Sequence, residues 1–142
     1  MNKIITILIV LTTQVSVAQT KVDSLQVHDV VTQYINSFYL TQPDEGRLSV
    51  HEQLAKRTII KSEGGNEILK NMTVEELESL STVFNRSKRY GSNSKKEISI
   101  LDMMNKTASV KLIAEGWVDY IHLGKLNGKW KIINVIWQYE NN

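Results

Sequence analysis

The sequence predicts an α+β domain with N-terminal helices packed on a strongly curved antiparallel sheet. Helix-type apolar spacing fills the first half of the chain and strand-type alternation the second, the order expected when helices cover one face of a sheet. Asn127-Gly128 lies between two alternating runs within Gly116–Trp137, the stretch holding all three tryptophans. That dipeptide accepts the positive φ angles of a tight hairpin turn. The apolar parity also reverses at Gly116, which predicts a β-bulge in one long strand starting near Thr107, and a bulge bends a sheet.

In chain order, residues 1–18 read as a secretory leader. Lys3 supplies the positive start, Ile4 to Leu11 a short apolar core, and Ser16-Val17-Ala18 small residues for cleavage before Gln19. The expected mature chain is a single domain over residues 19–142, exported to a periplasm or the exterior, with no membrane attachment after cleavage. The 17 basic and 15 acidic residues of the full sequence nearly cancel, so no nucleic-acid partner is called for. It has no cysteine, which excludes disulfides, thiolate metal sites and cysteine nucleophiles.

A helix is predicted from an N-cap at Asp23 or Ser24 to about Leu40, with Val27, Val30, Val31, Tyr34, Ile35 and Phe38 on one apolar arc. Thr41 to Gly46, with the only proline, reads as its stop. Ser49-Val50-His51-Glu52 has capping-box spacing and predicts a short helix to about Ala55, followed by a short strand over 57–61. Gly64-Gly65 is a loop without phosphate-cradling spacing. Thr73-Val74-Glu75-Glu76 is a second capping box, opening a helix that ends near Asn85. A basic connection containing Arg86, Lys88, Arg89, Lys95 and Lys96 then leads to a strand over 97–103 and a turn at Asn105-Lys106.

In the C-terminal hairpin, Leu126 is expected opposite Lys129, Leu123 opposite Ile132, Ile121 opposite Asn134 and Asp119 opposite Ile136. Trp117, Asp119, Ile121, Leu123, Trp130, Ile132, Asn134 and Ile136 then share the core face. Tyr120, His122, Ile133, Val135 and Trp137 share the outer face. Asp119 and Asn134 become diagonal neighbours, roughly 7–8 Å apart at the backbone.

Several of these residues carry a resemblance. Trp117, Asp119-Tyr120, His122-Leu123, Lys125, Gly128, Trp130-Lys131-Ile132, Asn134 and Trp137 resemble the closing hairpin of the putative lumazine-binding family, in the nuclear transport factor 2-like superfamily. The first helix ending in Phe38-Tyr39, then His51, Lys56-Arg57, Met72-Thr73 and Ile100-Leu101-Asp102 come in that family's order. Glu52 departs from the proline that many members have after the central histidine. The resemblance implies a cone-shaped, cystatin-like fold of three helices over a strongly bent sheet, with a cavity between them. It leaves function open, since the superfamily includes isomerases, dehydratases and transport factors.

Three functions are weighed. The first is a small-molecule-binding protein whose pocket is lined by Tyr34, Phe38, Trp117, Ile121, Trp130 and Ile132, with Asp119 and Asn134 orienting a small apolar or heteroaromatic ligand. The second is a cofactor-free isomerase or dehydratase using Asp119 as general base, since desolvation raises a carboxyl pKa. The third is an interaction domain, a homodimer formed through the outer sheet face. For Asp119 the favoured reading is structural, a carboxylate satisfied by Asn134 or a donor on a helix. The three histidines have no partners at metal-ligand spacing and no serine lies in a nucleophile elbow, so neither a metal, a cofactor nor a hydrolase triad is expected.

Overall fold

The computed structural model describes residues 2–140, with side chains described from residue 20 onward. The predicted leader falls on residues whose side chains lie outside that range. Helix α1 (Asn2–Tyr39) is followed by α2 (Pro43–Ser49), β1 (Val50–Lys61), β2 (Glu67–Met72) and α3 (Val74–Val83). The remaining strands are β3 (Lys96–Met103), β4 (Thr107–Ala114), β5 (Trp117–Leu126) and β6 (Lys129–Tyr139). The six strands form one curved, unclosed sheet in the order β2-β1-β6-β5-β4-β3, antiparallel except where β1 runs parallel to β6.

Helix α1 lays its predicted arc on the sheet: Val27, Val31, Tyr34, Ile35 and Phe38 are buried, and Val30 is half-buried against the same core. Its start differs from the prediction, because the helical backbone already runs through Asp23 and Ser24. Asp23 is a buried side chain in mid-helix, accepting hydrogen bonds from Lys125 Nζ and Trp130 Nε1 across the core.

The segment after α1 corrects two expectations. Pro43 does not merely stop a helix; it begins α2, where a proline's missing N–H costs nothing, and Asp44 and Glu45 in the first turn favour the positive end of the helix. The capping-box pattern at Ser49 opens no helix, because Val50 already starts strand β1 and Ser49 Oγ bonds back to the Gly46 carbonyl. A strong helix-start pattern loses here to pairing of β1 with both β2 and β6. Strand β2 itself was not anticipated, its residues Glu67–Met72 being largely exposed and lacking clear alternation. The Thr73 box behaves as predicted. Its side chain accepts from Glu76 N at 3.2 Å, and Glu76 returns a carboxylate oxygen to Thr73 N at 2.7 Å.

Two further corrections concern the sheet. The strand expected to run past Gly116 with a bulge instead reverses there: β4 pairs antiparallel with β5, with Glu115-Gly116 as the turn and Gly116 at φ +97°. A two-residue turn sets Ala114 and Trp117 on the same face, so a hairpin produces the same parity reversal as a bulge.

A bulge does occur, one strand later. In the β5–β6 ladder Leu126 faces Lys129 and Leu123 faces Ile132, but His122 faces Asn134, leaving Ile133 as the extra residue. Beyond it, Ile121 pairs with Val135 and Asp119 with Trp137, not with Asn134 and Ile136. The inward set of β6 is therefore Trp130, Ile132 and Val135, with Trp137 half-buried on the same side, while Ile136 is exposed.

Candidate functional site

Between the helices and the curved sheet lies a cavity of about 480 Å³ that opens to solvent. Helix α1 contributes Tyr34 and Phe38, α3 contributes Leu80 and Phe84, and the β4–β5 turn contributes Gly116 and Trp117. Trp137 of β6 and Met72 of β2 complete much of the apolar wall. The rings pack edge to face in sequence: Tyr34 to Phe38 at 5.4 Å, Phe38 to Phe84 at 5.6 Å and Phe84 to Trp117 at 5.5 Å between centroids. Such contacts leave little rotamer freedom in the wall.

The connection after α3 is held at the cavity by one buried amide. Asn85 Nδ2 donates to the carbonyls of Tyr39 and Tyr90, and its Oδ1 accepts from Tyr90 N at 3.0 Å. Tyr90 thereby stacks on Phe84, and Arg89 lies 5.5 Å from the Tyr90 ring. Within the basic connection read from the sequence, Arg89 and Tyr90 thus line the cavity.

The buried charged group of the cavity lining is Lys56, on β1. Its side chain is 5% exposed, and its Nζ donates to Tyr34 Oη at 2.6 Å and to Asp119 Oδ1 at 3.2 Å. The second carboxylate oxygen of Asp119 accepts from Trp117 Nε1 at 3.1 Å. Nζ also lies 5.1 Å from the Trp137 ring centroid, within cation–π range. Burial pulls the Lys56 pKa below its ordinary value against the opposing pull of Asp119. Burial, reinforced by the charge of Asp119, drives the Tyr34 phenol well above 10, so its hydroxyl keeps its proton. The cluster is a charge-neutral Lys–Asp pair with a phenol, assembled from α1, β1 and β5.

Of the residues expected to bind a ligand, Tyr34, Phe38 and Trp117 line the cavity. Asp119 is fully buried behind Lys56 and Trp117, with both oxygens engaged. Ile121 and Ile132 are core residues that do not line the cavity, and Trp130 is turned to Asp23. Asn134 is misplaced by the sequence reading. The Ile133 bulge carries it to the outer face, where its amide meets His122 Nδ1 at 3.0 Å, so it cannot converge with Asp119.

The same bulge removes Val135 and Trp137 from the predicted outer face. Lys56 appeared in the sequence only within the Lys-Arg pair of the family resemblance. A basic residue between the buried Leu54 and Thr58 of a strand was the one signal that could have found it. Among the described residues, no group of three or more histidine or acidic side chains is placed to hold a metal.

The family model described as putative lumazine-binding matches residues 22–138. Similar solved structures include a nuclear transport factor 2-like protein of unknown function from Methylobacillus flagellatus, 20% identical, covering 83% of this chain and 92% of its own with a TM-score of 0.65. A second, from Silicibacter pomeroyi and also of unknown function, is 9% identical, covers 85% and 98% and has a TM-score of 0.66. A ketosteroid isomerase, so assigned without confirmation, from Shewanella frigidimarina is 16% identical, covers 80% and 94% and has a TM-score of 0.52. At these identities the likeness establishes the fold. Comparison with curated proteins finds no match.

Proposed function

Given that the chain belongs to the putative lumazine-binding family, with a nuclear transport factor 2-like fold, we propose that it binds a small apolar or heteroaromatic molecule in the cavity beside Lys56. The observation that carries this reading is the aromatic-walled space of about 480 Å³, within the size range of small-ligand sites, with a single buried ammonium at its wall. Binding without catalysis is favoured over an isomerase-like reaction. Asp119, the candidate base, is tied to Lys56 and Trp117, so taking a substrate proton would first require breaking a buried ion pair.

Native mass spectrometry of gently purified protein tests this: a reproducible small-molecule mass should accompany the chain and be lost in Leu80→Trp, which fills the cavity. A bare polypeptide mass, together with no uptake of small aromatic probes, would sink the reading.

Export forms part of the proposal and rests on the leader pattern of residues 1–18. N-terminal sequencing of exported material should begin at Gln19; material beginning at Met1 would refute it. A homodimer through the outer sheet face belongs to the same proposal, supported by exposed Tyr120, Ile133 and Ile136.

A further inference from the structure

We propose that the cavity selects uncharged, flat ligands that bear a carbonyl-type acceptor, and that Lys56 is the residue that reads that acceptor. The inference rests on the binding function above and names its ligand class.

An ammonium has three N–H donors. Two are taken by Tyr34 Oη and Asp119 Oδ1, and no further acceptor for Nζ is present among the described residues. The remaining N–H has the Trp137 ring, 5.1 Å from Nζ, as its neighbour, and a ring face is a weaker partner than a carbonyl oxygen, so Lys56, which lines the cavity, can give this donor to an occupant. Neither partner can turn away cheaply. Tyr34 is packed edge to face on Phe38, and Asp119 is held by Trp117 as well as by Lys56. The donor is therefore fixed in place before any ligand arrives, the condition under which a hydrogen bond discriminates between ligands.

Charge decides what kind of acceptor fits. Lys56 is neutralised by Asp119 directly behind it, and the other charged groups of the lining, Arg89 and Glu115, are likewise of opposite sign. An anionic ligand would lose its hydration on entering an apolar space without meeting a net positive charge. A neutral carbonyl loses less hydration and gains a charge-assisted hydrogen bond. The rings of Phe38, Phe84, Tyr90, Trp117 and Trp137 supply flat apolar surfaces for the rest of the molecule.

The test uses three probes of nearly equal size, 2-acetylnaphthalene, 2-ethylnaphthalene and 2-naphthoate, measured by equilibrium dialysis against the full chain. The ketone should bind about tenfold more tightly than the hydrocarbon, as one hydrogen bond to a charged donor provides. It should also bind more tightly than the carboxylate. The double variant Lys56→Met/Asp119→Asn removes both charges yet keeps an acceptor for Trp117, and in it the ketone and the hydrocarbon should bind alike. Equal binding of ketone and hydrocarbon by the wild type would overturn the inference while leaving the binding function intact. Preference for 2-naphthoate would overturn it in favour of an anion site. Failure of all three probes to bind would overturn both. If the double variant does not fold, as judged by circular dichroism, the wild-type ranking alone decides.

Discussion

Tyr39 joins the helix layer to the sheet through a single hydroxyl. It donates to the Lys95 carbonyl at 2.9 Å and accepts from Glu115 N at 2.8 Å, and its ring stacks on Tyr90. Burial is the main cause that pushes its phenol from 10.0 up to about 12. In the unfolded chain the phenol releases its proton near pH 10, whereas the folded chain holds it to about 12. Over that interval the folded state binds more protons, so its stabilising contribution is complete below pH 10 and lost as pH rises through 12. Tyr34 acts in the same direction.

Lys56 acts oppositely. Its lowered pKa means that the unfolded chain binds the extra proton just below 10.5, so its effect is to raise stability with pH in that window. Urea unfolding midpoints should therefore fall between pH 10 and 12, and fall less in Tyr39→Phe than in the wild type. An equally steep fall in the variant would show that Tyr39 is not the source.

At the scale of single elements, the β4–β5 hairpin sets one wall of the cavity. Its turn places Gly116 at φ +97°, and a Cβ added there would meet no atom within 4 Å. Replacement by alanine therefore costs only backbone strain, about 1–2 kcal/mol. Gly116→Ala should lower the unfolding free energy by about that amount in urea titrations. A neutral substitution would show that the turn relaxes to another conformation. The bulge at Ile133 has the larger consequence for the site. By inserting one residue into β6 it turns Trp137 towards Lys56 and sends Asn134 out to His122.

For the whole molecule, the sheet has one face covered by helices and another that keeps exposed apolar side chains. Ile59 of β1, Leu69 of β2, Tyr120 of β5 and Ile136 of β6 share that uncovered face and are each more than 40% exposed. A patch spread over four adjacent strands is the self-complementary kind of surface that a two-fold dimer buries. Sedimentation equilibrium at high micromolar concentration should give twice the chain mass, and Tyr120→Lys with Ile136→Lys should return it to the monomer. A wild-type monomer at that concentration would remove the dimer.

Local chemistry was legible in the sequence wherever a few neighbouring residues decide the outcome. The apolar arc of α1, the capping box at Thr73 and the Asn127-Gly128 turn were readable, because periodicity, capping and turn preference act within a few residues, whereas the expected order of helices first and strands after does not hold, since β1 and β2 precede α3. Only the tertiary structure decided the rest. Whether Gly116 bends a strand or reverses it depends on whether β4 finds β5 as its partner, since both outcomes reverse the parity. Whether Ser49–Glu52 coils or extends depends on β6, which lies some 80 residues along the chain. The lysine of the site followed the same rule. Lys56 is a basic residue in a strand until α1 brings Tyr34 and β5 brings Asp119 within hydrogen-bonding distance, and a buried charge is stable only once such partners are in place.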